Sequence, residues 1–315
     1  MLLDSWAIQV GVAIDRKDII QAGNSNSAPP TWGASELISN QNSTGKAYVG
    51  VYAHHNYPGG SIQSLMTHSK ISNNLKPLKA DAAAALAIGK PYVLGETNSG
   101  RYIRLVSPIS ASPVCWLTNN VVVSGGGAAN VSPTFGAALW TMDYAVRAAY
   151  NNISRTYFHH GTVGNCKYCF FGRNSMGAPY YGAYTAVAFL AGAKYLTALD
   201  DGTTKYAAYA SFDPNGLPLR VLLFNSEYHI VGEPRPSQLF TLTGLNAQAV
   251  KSKRLTAPSA LSRQDQGDNL SFGGQYFNNR SCTIGGTESY ETTSVSDGEA
   301  SFALRASEAL LIYLQ

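Results

Sequence analysis

The sequence has few charged residues and no hydrophobic run long enough to cross a bilayer. Charged side chains make up 13% of its 315 residues, about half the share of an average protein. The 23 lysines and arginines are dispersed among 19 acidic residues, without a basic block that could follow a phosphate backbone. The longest apolar run, 186–199, is interrupted by Lys194 and is too short to span a membrane. We therefore expect neither a nucleic-acid partner nor a membrane partner.

Cysteine is also scarce, with four residues in the whole chain, too few for a disulfide scaffold. Cys166 and Cys169 form a C-x-x-C pair, far in sequence from Cys115 and Cys282. Zinc needs a second pair of ligands at short spacing, and a redox motif needs a strand leading into a helix. The pair is therefore expected to be either a disulfide that staples a loop or two buried thiols. No metal and no cofactor is predicted.

The first residues lack the basic stretch, the apolar stretch and the cleavage site of a secretory signal peptide. The sequence nevertheless contains five N-x-S/T glycosylation sequons, at Asn42, Asn130, Asn152, Asn269 and Asn279. Sequons at this density are typical of a secreted lineage. We therefore expect an extracellular glycoprotein family, without a signal peptide in this chain.

Residues 1–195 alternate strand-like and helix-like segments. Strands are predicted at 18–21, 47–53, 91–95 and 155–158. Helical segments are predicted at 6–14, 61–89, 133–150 and 179–196, the third of them capped by Ser132 with Pro133 in its first turn. This alternation predicts a parallel sheet or barrel. An eight-stranded barrel needs roughly 250 residues, so a stretch of this length with four visible strands predicts half a barrel.

Residues 196–315 have a different pattern, in which short predicted strands are separated by glycine, asparagine, serine and proline. Asn215 and Gly216 lie between the predicted strands 207–212 and 218–224, and an Asn-Gly pair is a strong hairpin signal. Further strands are predicted at 239–242, 248–255, 270–272, 300–304 and 309–314. This pattern predicts an antiparallel β-sandwich. The predicted fold class is therefore α/β plus all-β, with a partial barrel followed by a sandwich.

Candidate catalytic residues follow the predicted strands, because barrel active sites form at the carboxyl ends of strands. Three strand ends, 53–57, 95–99 and 158–161, are rich in histidine, asparagine and tyrosine. Glu96 is the one carboxylate that ends an apolar run, and a carboxylate placed there suits attack at the anomeric carbon of a sugar. The alternative is a structural glutamate paired with an arginine.

The sequence resembles a known family in four segments, which span 51–66, 93–100, 131–145 and 156–172. Their sequences, VYAHHNYPGGSIQSLM, VLGETNSG, VSPTFGAALWTMDYA and TYFHHGTVGNCKYCFFG, resemble the fungal β-glucuronidase type of glycoside hydrolase family 79. That resemblance implies a retaining glycosidase with a (β/α)₈ barrel followed by a β-sandwich. It implies a glucuronic-acid-containing glycan as the substrate. This chain would supply barrel strands five to eight.

The resemblance also assigns roles to residues at three strand ends. Glu96 corresponds to the nucleophile at the end of strand seven, and His55 and Tyr57 lie at the end of strand six. The Tyr57 hydroxyl is expected to hydrogen-bond the nucleophile. His159 and His160 correspond to the end of strand eight. Because adjacent strand residues face opposite ways, we expect His55 and His160 to face the pocket.

The remaining predicted substrate contacts come from Asn98, Gly126 and Gly127. The glycines belong to a Gly-rich loop whose backbone amides would receive the carboxylate of the sugar, although a flexible linker is the alternative. Arg173 is either a further positive charge for a uronic acid or a solvated loop residue.

Two departures from the family pattern limit the predicted activity. A retaining glycosidase needs a second carboxyl group as general acid and base, which the family places after an asparagine, and the sequence contains no Asn-Glu pair. Residues 101–123 match nothing in the family and are interpreted as a retained intron, which sequencing of the spliced transcript would test. The chain is therefore predicted to be a glycosidase with severely impaired catalysis. The alternatives are a non-catalytic carbohydrate-binding protein or a vestigial fragment.

Overall fold

The structure of the protein is a computed structural model that describes residues 2–26, 32–99, 126–161, 166–281 and 283–314. A four-stranded parallel sheet and its helices occupy the N-terminal part, and antiparallel sheets occupy the C-terminal part. The predicted insertion at 101–123, Cys115 and Cys282 lie outside the described residues. Within the described ranges, no helix is long and apolar enough to cross a membrane.

The parallel sheet has its strands in sequence order, and all neighbouring strands run parallel. Its strands are β1 (Ile20–Ser25), β2 (Val49–Asn56), β3 (Tyr92–Thr97) and β4 (Arg155–Phe158). β4 spans the predicted residues, and the other three strands match predicted strands displaced by a few residues. Since parallel strands end at the same edge of a sheet, the residues that follow β2, β3 and β4 are brought together there.

Eight α-helices and one short 3₁₀ helix lie between or beside these strands. They are α1 (Leu2–Ala13), α2 (Ala34–Asn40), α3 (Ser43–Tyr48), α4 (Ile62–Leu65), α5 (His68–Leu75), the 3₁₀ helix Lys76–Leu78, α6 (Lys79–Ala87), α7 (Phe135–Tyr150) and α8 (Ala178–Leu190). Helix α7 is buried along most of its length. It packs against α8 so closely that a Cβ atom on Gly182 would lie 1.8 Å from the Ala138 carbonyl oxygen, so this crossing requires glycine.

Several predicted helix boundaries are wrong: α1 begins at Leu2 instead of residue 6, and the predicted helical segment 61–89 is divided into α4, α5, the 3₁₀ helix and α6. Helix α7 starts at Phe135, and its N-cap is Thr134, whose hydroxyl accepts a hydrogen bond from the Ala137 amide. Ser132 cannot cap the helix because its hydroxyl accepts from the Ala128 amide at 3.0 Å. Helix α8 ends at Leu190 instead of continuing to residue 196, because the chain turns at Gly192, which has a φ of 73°, and then enters a strand.

The C-terminal part contains the antiparallel strands that the sequence predicts, together with several short ones. They are β5 (Tyr195–Ala198), β6 (Tyr206–Phe212), β7 (Pro218–Asn225), β8 (Ser237–Leu242), β9 (Ala249–Thr256), β10 (Ser271–Phe272), β11 (Tyr276–Phe277), β12 (Ile284–Gly285), β13 (Glu291–Ser294), β14 (Ala300–Arg305) and β15 (Glu308–Tyr313). The main sheet has the order β10-β9-β15-β7-β6-β5, with β13 also paired to β9. Strands β8 and β14 form a separate pair. The β6–β7 hairpin turns through Gly216, at a φ of 82°, as the Asn-Gly signal predicts.

The main antiparallel sheet buries both of its faces. One face, which includes Tyr209, Leu222 and Leu311, shares a single hydrophobic core with Trp140 of α7 and Phe189 of α8. The opposite face packs against the β8–β14 pair in a second core. The helices around the parallel sheet and the antiparallel sheet are therefore held together by a common apolar core, which fixes the loops of the candidate site on a rigid base.

A buried polar cluster crosses the same junction. The imidazole of His68, on α5, lies 2.7 Å from a carboxylate oxygen of Asp143 on α7 and 2.9 Å from one of Asp200, which precedes β6. The Tyr209 hydroxyl donates to the other Asp143 oxygen at 2.7 Å. Burial alone lowers the pKa of His68, but the charges and hydrogen bonds of the two aspartates outweigh it and raise that pKa to about 10. His68 is therefore an imidazolium shared by two carboxylates.

Candidate active site

Glu96 lies near the carboxyl end of β3 with its carboxylate held between two imidazoles. Its neighbour across the sheet is His55 on β2, whose Nδ1 atom is 3.0 Å from Glu96 Oε2. His159, which follows β4, places its Nδ1 atom 2.9 Å from Glu96 Oε1. The Glu96 side chain remains 31% exposed. The carboxylate is thus oriented at both oxygens and still open to a ligand.

The two imidazoles can act as hydrogen-bond donors to Glu96. A histidine donates from Nδ1 when its proton resides there, and it does so in both the neutral Nδ1 tautomer and the charged form. A carboxylate that accepts at both oxygens has a defined plane and a restricted rotamer. Residues from three adjacent strand ends therefore fix the direction in which Glu96 faces.

The structure changes the expected roles of the histidine pair after β4. His159 contacts Glu96, whereas the prediction placed His160 in the pocket and His159 in the packing. His160 instead packs beside Phe170 and Phe171, with its ring 4.9 Å from the latter, and its Nε2 atom accepts from the Phe170 amide at 3.2 Å. Burial lowers the pKa of His160. The alternation of side chains holds, but its phase is opposite to the prediction, since His159 lies on the Glu96 side and His160 on the Phe170 side.

The ends of β2 and β3 are tied together beneath Glu96 by a polar network. The Thr97 hydroxyl donates to the Asn56 carbonyl at 2.6 Å, and the Asn56 amide donates to the buried Tyr144 hydroxyl at 2.8 Å. Burial raises the pKa of Tyr144, so this hydroxyl stays neutral. Tyr57, half-buried after β2, lies at the same edge of the sheet, and its bond to the nucleophile stays a prediction.

Asn98 braces the site from inside the protein. The sequence predicts a substrate contact for this residue, but its side chain is buried and both ends of its amide are used internally. The amide nitrogen donates to the His159 carbonyl at 2.8 Å, and the amide oxygen accepts from the Ser99 backbone at 2.7 Å. Asn98 therefore positions the segment that carries His159.

Gly126 and Gly127 form a buried left-handed turn beside Tyr168. Their φ angles are 100° and 89°, which glycine adopts without strain. The Gly126 carbonyl accepts from the Lys167 amide, and the Tyr168 ring packs against Gly127. The predicted contact of the two glycines with the sugar carboxylate stays a prediction.

Tyr168 is a site residue that the sequence reasoning missed. Its ring is almost fully buried and lies 6.1 Å from the ring of His159. Burial raises the pKa of its hydroxyl, the Gly126 hydrogen bond lowers it, and the charge of Glu96 raises it further. One feature of the sequence could have indicated this residue. Tyr168 lies between the two cysteines of the C-x-x-C pair, shortly after a strand that ends in histidines.

Alanine at position 127 is expected to destabilise the turn more than alanine at Gly89, which serves as a matched control. A Cβ atom on residue 127 would lie 2.6 Å from the Tyr168 ring, whereas one on Gly89, also at positive φ, meets nothing within 4 Å. The left-handed backbone costs about 1–2 kcal/mol in both variants, and the contact adds to it in Gly127→Ala alone. Urea unfolding measures both, and equal losses would contradict this packing.

The carboxylates predicted to lack the setting of a general acid are directed to other groups. Asp81 accepts from the Ser35 amide and hydroxyl at 2.9 and 2.6 Å, Glu36 accepts from the Trp32 amide at 3.0 Å, and Asp143 binds His68. Asp18 pairs with Lys90, and Asp4 is buried. Arg173 is exposed.

Comparisons with known proteins show which family this chain resembles. Residues 205–311 match the family model of the glycosyl hydrolase family 79 C-terminal beta domain. The chain is 29% identical over 234 residues to a β-glucuronidase of Aspergillus niger and 28% identical over 264 residues to one of Neurospora crassa, covering 64% and 70% of this chain. It spans 38% and 42% of the length of these two curated relatives.

A solved structure is similar over nearly the whole chain. The 4-O-α-L-rhamnosyl-β-D-glucuronidase from Fusarium oxysporum, in complex with Rha-GlcA, is 42% identical with a TM-score of 0.86. The alignment covers 99% of this chain and 63% of that one. The resemblance to glycoside hydrolase family 79 is thereby confirmed.

Proposed function

We propose, from the similarity to glycoside hydrolase family 79 and from the geometry around Glu96, that this chain carries the nucleophile half of a retaining β-glucuronidase-type site. The proposed fold is the C-terminal half of a (β/α)₈ barrel over residues 1–195, followed by a β-sandwich over 196–315. The proposed substrate is a glycan that ends in glucuronic acid. The single observation that carries this proposal is the Glu96 carboxylate, held by His55 and His159 at the ends of three parallel strands.

In the proposed reaction, one oxygen of Glu96 attacks the anomeric carbon while the bond to the leaving-group oxygen breaks. A glucuronosyl ester of Glu96 forms, and water then releases the sugar with net retention. The imidazole on the second carboxylate oxygen keeps the group oriented during the attack. Positive charge that develops on the sugar ring is stabilised by the remaining negative charge of Glu96.

Recognition of the sugar carboxylate is proposed for the Gly126–Gly127 turn and Tyr168. The Tyr168 ring lies against Gly127, and its hydroxyl is the proposed donor to the sugar carboxylate. His55 and Tyr57 remain proposed substrate contacts, whereas His160 is proposed only to support the loop that it packs against. These groups are the complement that a uronic acid needs and a neutral hexose does not.

We also propose an extracellular location, as expected for secreted glycosidases. The side chains of Asn42, Asn130, Asn152 and Asn269 are exposed, so these four sequons are sterically open. Asn279 differs, because its amide donates to the Gln264 carbonyl and accepts from the Met176 amide. Glycosylation at Asn279 would have to break the first of these contacts.

The decisive experiment is covalent labelling of Glu96 with 2,4-dinitrophenyl β-glucuronide. This leaving group departs without protonation, so the first step needs the nucleophile alone. We expect intact-mass spectrometry to detect one added glucuronosyl group, and peptide mapping to assign it to Glu96.

The labelling has a matched pair of variants. Glu96→Gln is expected to abolish the adduct, and Glu36→Gln, an exposed glutamate elsewhere in the same part of the chain, is expected to retain it. Equal labelling of both variants would refute Glu96 as nucleophile. Binding of methyl β-glucuronide without any adduct would instead favour the non-catalytic carbohydrate-binding alternative, which the absence of a second carboxylate among the described site residues also favours.

A further inference from the structure

Cys166 and Cys169 form a disulfide with their Cα atoms 5.4 Å apart, which confirms the loop-stapling alternative of the sequence analysis. The bond closes a ring of four residues. The two residues inside the ring, Lys167 and Tyr168, both contact the candidate site. The ring thus does more than join two ends of a loop.

The contacts of the inner residues converge on the Gly126–Gly127 turn. The Lys167 amide donates to the Gly126 carbonyl. The Tyr168 ring covers Gly127 so closely that no side chain fits between them. The two glycines of the turn are therefore contacted by two consecutive residues of the disulfide ring.

The two sulfur-bearing residues are attached to separate parts of the fold. The Gly161 amide, just after the histidine pair, donates to the Cys166 sulfur at 3.4 Å. The Cys169 carbonyl packs on Gly177, the N-cap of α8, where a Cβ atom would lie 2.2 Å from it. The disulfide therefore couples the end of the parallel sheet to the start of α8 across the site.

We infer that the Cys166–Cys169 disulfide is a positioning element of the active site, which fixes Tyr168 and the Gly126–Gly127 turn beside His159, the residue that contacts Glu96. The inference rests on the proposed function for its ligand. Because the closed ring is short, opening it restores little chain entropy to the unfolded state. Its loss should act locally, through the freedom gained by Lys167 and Tyr168, rather than on the stability of the whole chain.

The test compares the wild-type chain with the double variant Cys166→Ala/Cys169→Ala. The first readout is hydrogen exchange of the Lys167 amide, whose protection is expected to fall at least about tenfold when the ring is opened. Amides of β9 and β15, remote from the ring, are expected to keep their protection. The second readout is the affinity for methyl β-glucuronide by calorimetry, which is expected to fall about tenfold, as for the loss of one hydrogen bond.

Reduction and re-oxidation of the wild-type chain test whether the effect of opening the disulfide is reversible. The disulfide borders a cavity of about 170 Å³ lined also by Lys167, Arg263 and Asp265, so a small phosphine reductant can reach it. Treatment with the reductant is expected to reproduce the variant, and re-oxidation is expected to restore both Lys167 protection and sugar affinity. A general structural defect would lower protection in β9 and β15 as well.

The outcomes distinguish this inference from the proposed function. Unchanged protection of the Lys167 amide in the double variant would overturn the positioning role, whatever the measured affinity for the sugar. Unchanged sugar affinity despite lost protection would overturn it also. If protection falls and the oxidised chain binds no glucuronide, the coupling to the turn is supported and the proposed function fails.

Discussion

Replacing His68 with glutamine is expected to destabilise the chain by about 3–5 kcal/mol, the cost of breaking a buried ion pair by removing one partner. Asp143 and Asp200 would be left facing each other without the cation that they share. Glutamine retains hydrogen-bonding capacity and approximate volume, so most of the loss should come from the missing charge. Urea unfolding of the wild-type and variant chains measures it.

The same network makes a distinctive prediction about pH. The pKa of His68 is about 10 in the folded chain and about 6.5 when unfolded. The folded state therefore holds the proton more tightly, so its stabilisation is complete below about pH 6.5 and is lost as the pH rises to about 10. Between these limits the free energy of unfolding should fall with a slope of up to about 1.4 kcal/mol per pH unit.

The His68→Gln variant should lack this pH slope. A matched control is His229→Gln, because His229 is also buried but lies outside the network and has a lowered pKa, chiefly from burial. That variant is expected to keep the slope in the same window. Identical pH profiles for the wild-type and His68→Gln chains would contradict a charged His68.

Hydrolysis of phenyl β-glucuronide by this 315-residue chain is expected to be about 10²–10⁴-fold slower than by an intact relative, the usual contribution of general acid-base catalysis. A retaining site needs its second carboxyl group about 5–5.5 Å from the nucleophile. The contacts of Asp18, Glu36, Asp81 and Asp143 direct these groups to partners other than Glu96. Phenol leaves poorly without a proton, so the deficit should be largest for such substrates.

The leaving group provides the control for this prediction. With 2,4-dinitrophenyl β-glucuronide the first step should recover most of its rate, while release of the sugar remains slow because water also needs a base. A burst of dinitrophenol followed by slow turnover is the expected trace in stopped-flow absorbance. Phenyl glucuronide turnover at the rate of an intact relative would show that the missing group is not needed.

The order of elements was predictable from the sequence because local patterns and tertiary packing agree. Apolar runs ending in polar residues marked β2 and β3, and the Asn-Gly pair marked the β6–β7 hairpin at its correct residues. Helices α2 and α3 were not predicted, since they are short and their stability comes from packing rather than from periodicity. The end of α8 was misplaced because the sequence after the helix stays largely apolar, interrupted only by Lys194 within residues 191–196.

The site was predictable in its residue types and less so in its geometry. Glu96 and His55 follow from strand ends alone, and their register across β2 and β3 brings them together. The bounds of β4 match the prediction, so the choice between His159 and His160 depends on which face of the strand is turned toward Glu96, and that is set by tertiary packing. Tyr168 was missed because it enters the site through a loop whose course depends on the disulfide and on contacts with Gly126.

Helix α7 is the common wall of both halves of the molecule, with Trp140 and Asp143 reaching elements on either side of it. A change in its side-chain volume therefore affects the parallel sheet and the antiparallel sheet at once. Substitutions in the two regions are therefore coupled through α7. Replacing one region with that of a distant relative would require replacing the other region from the same relative.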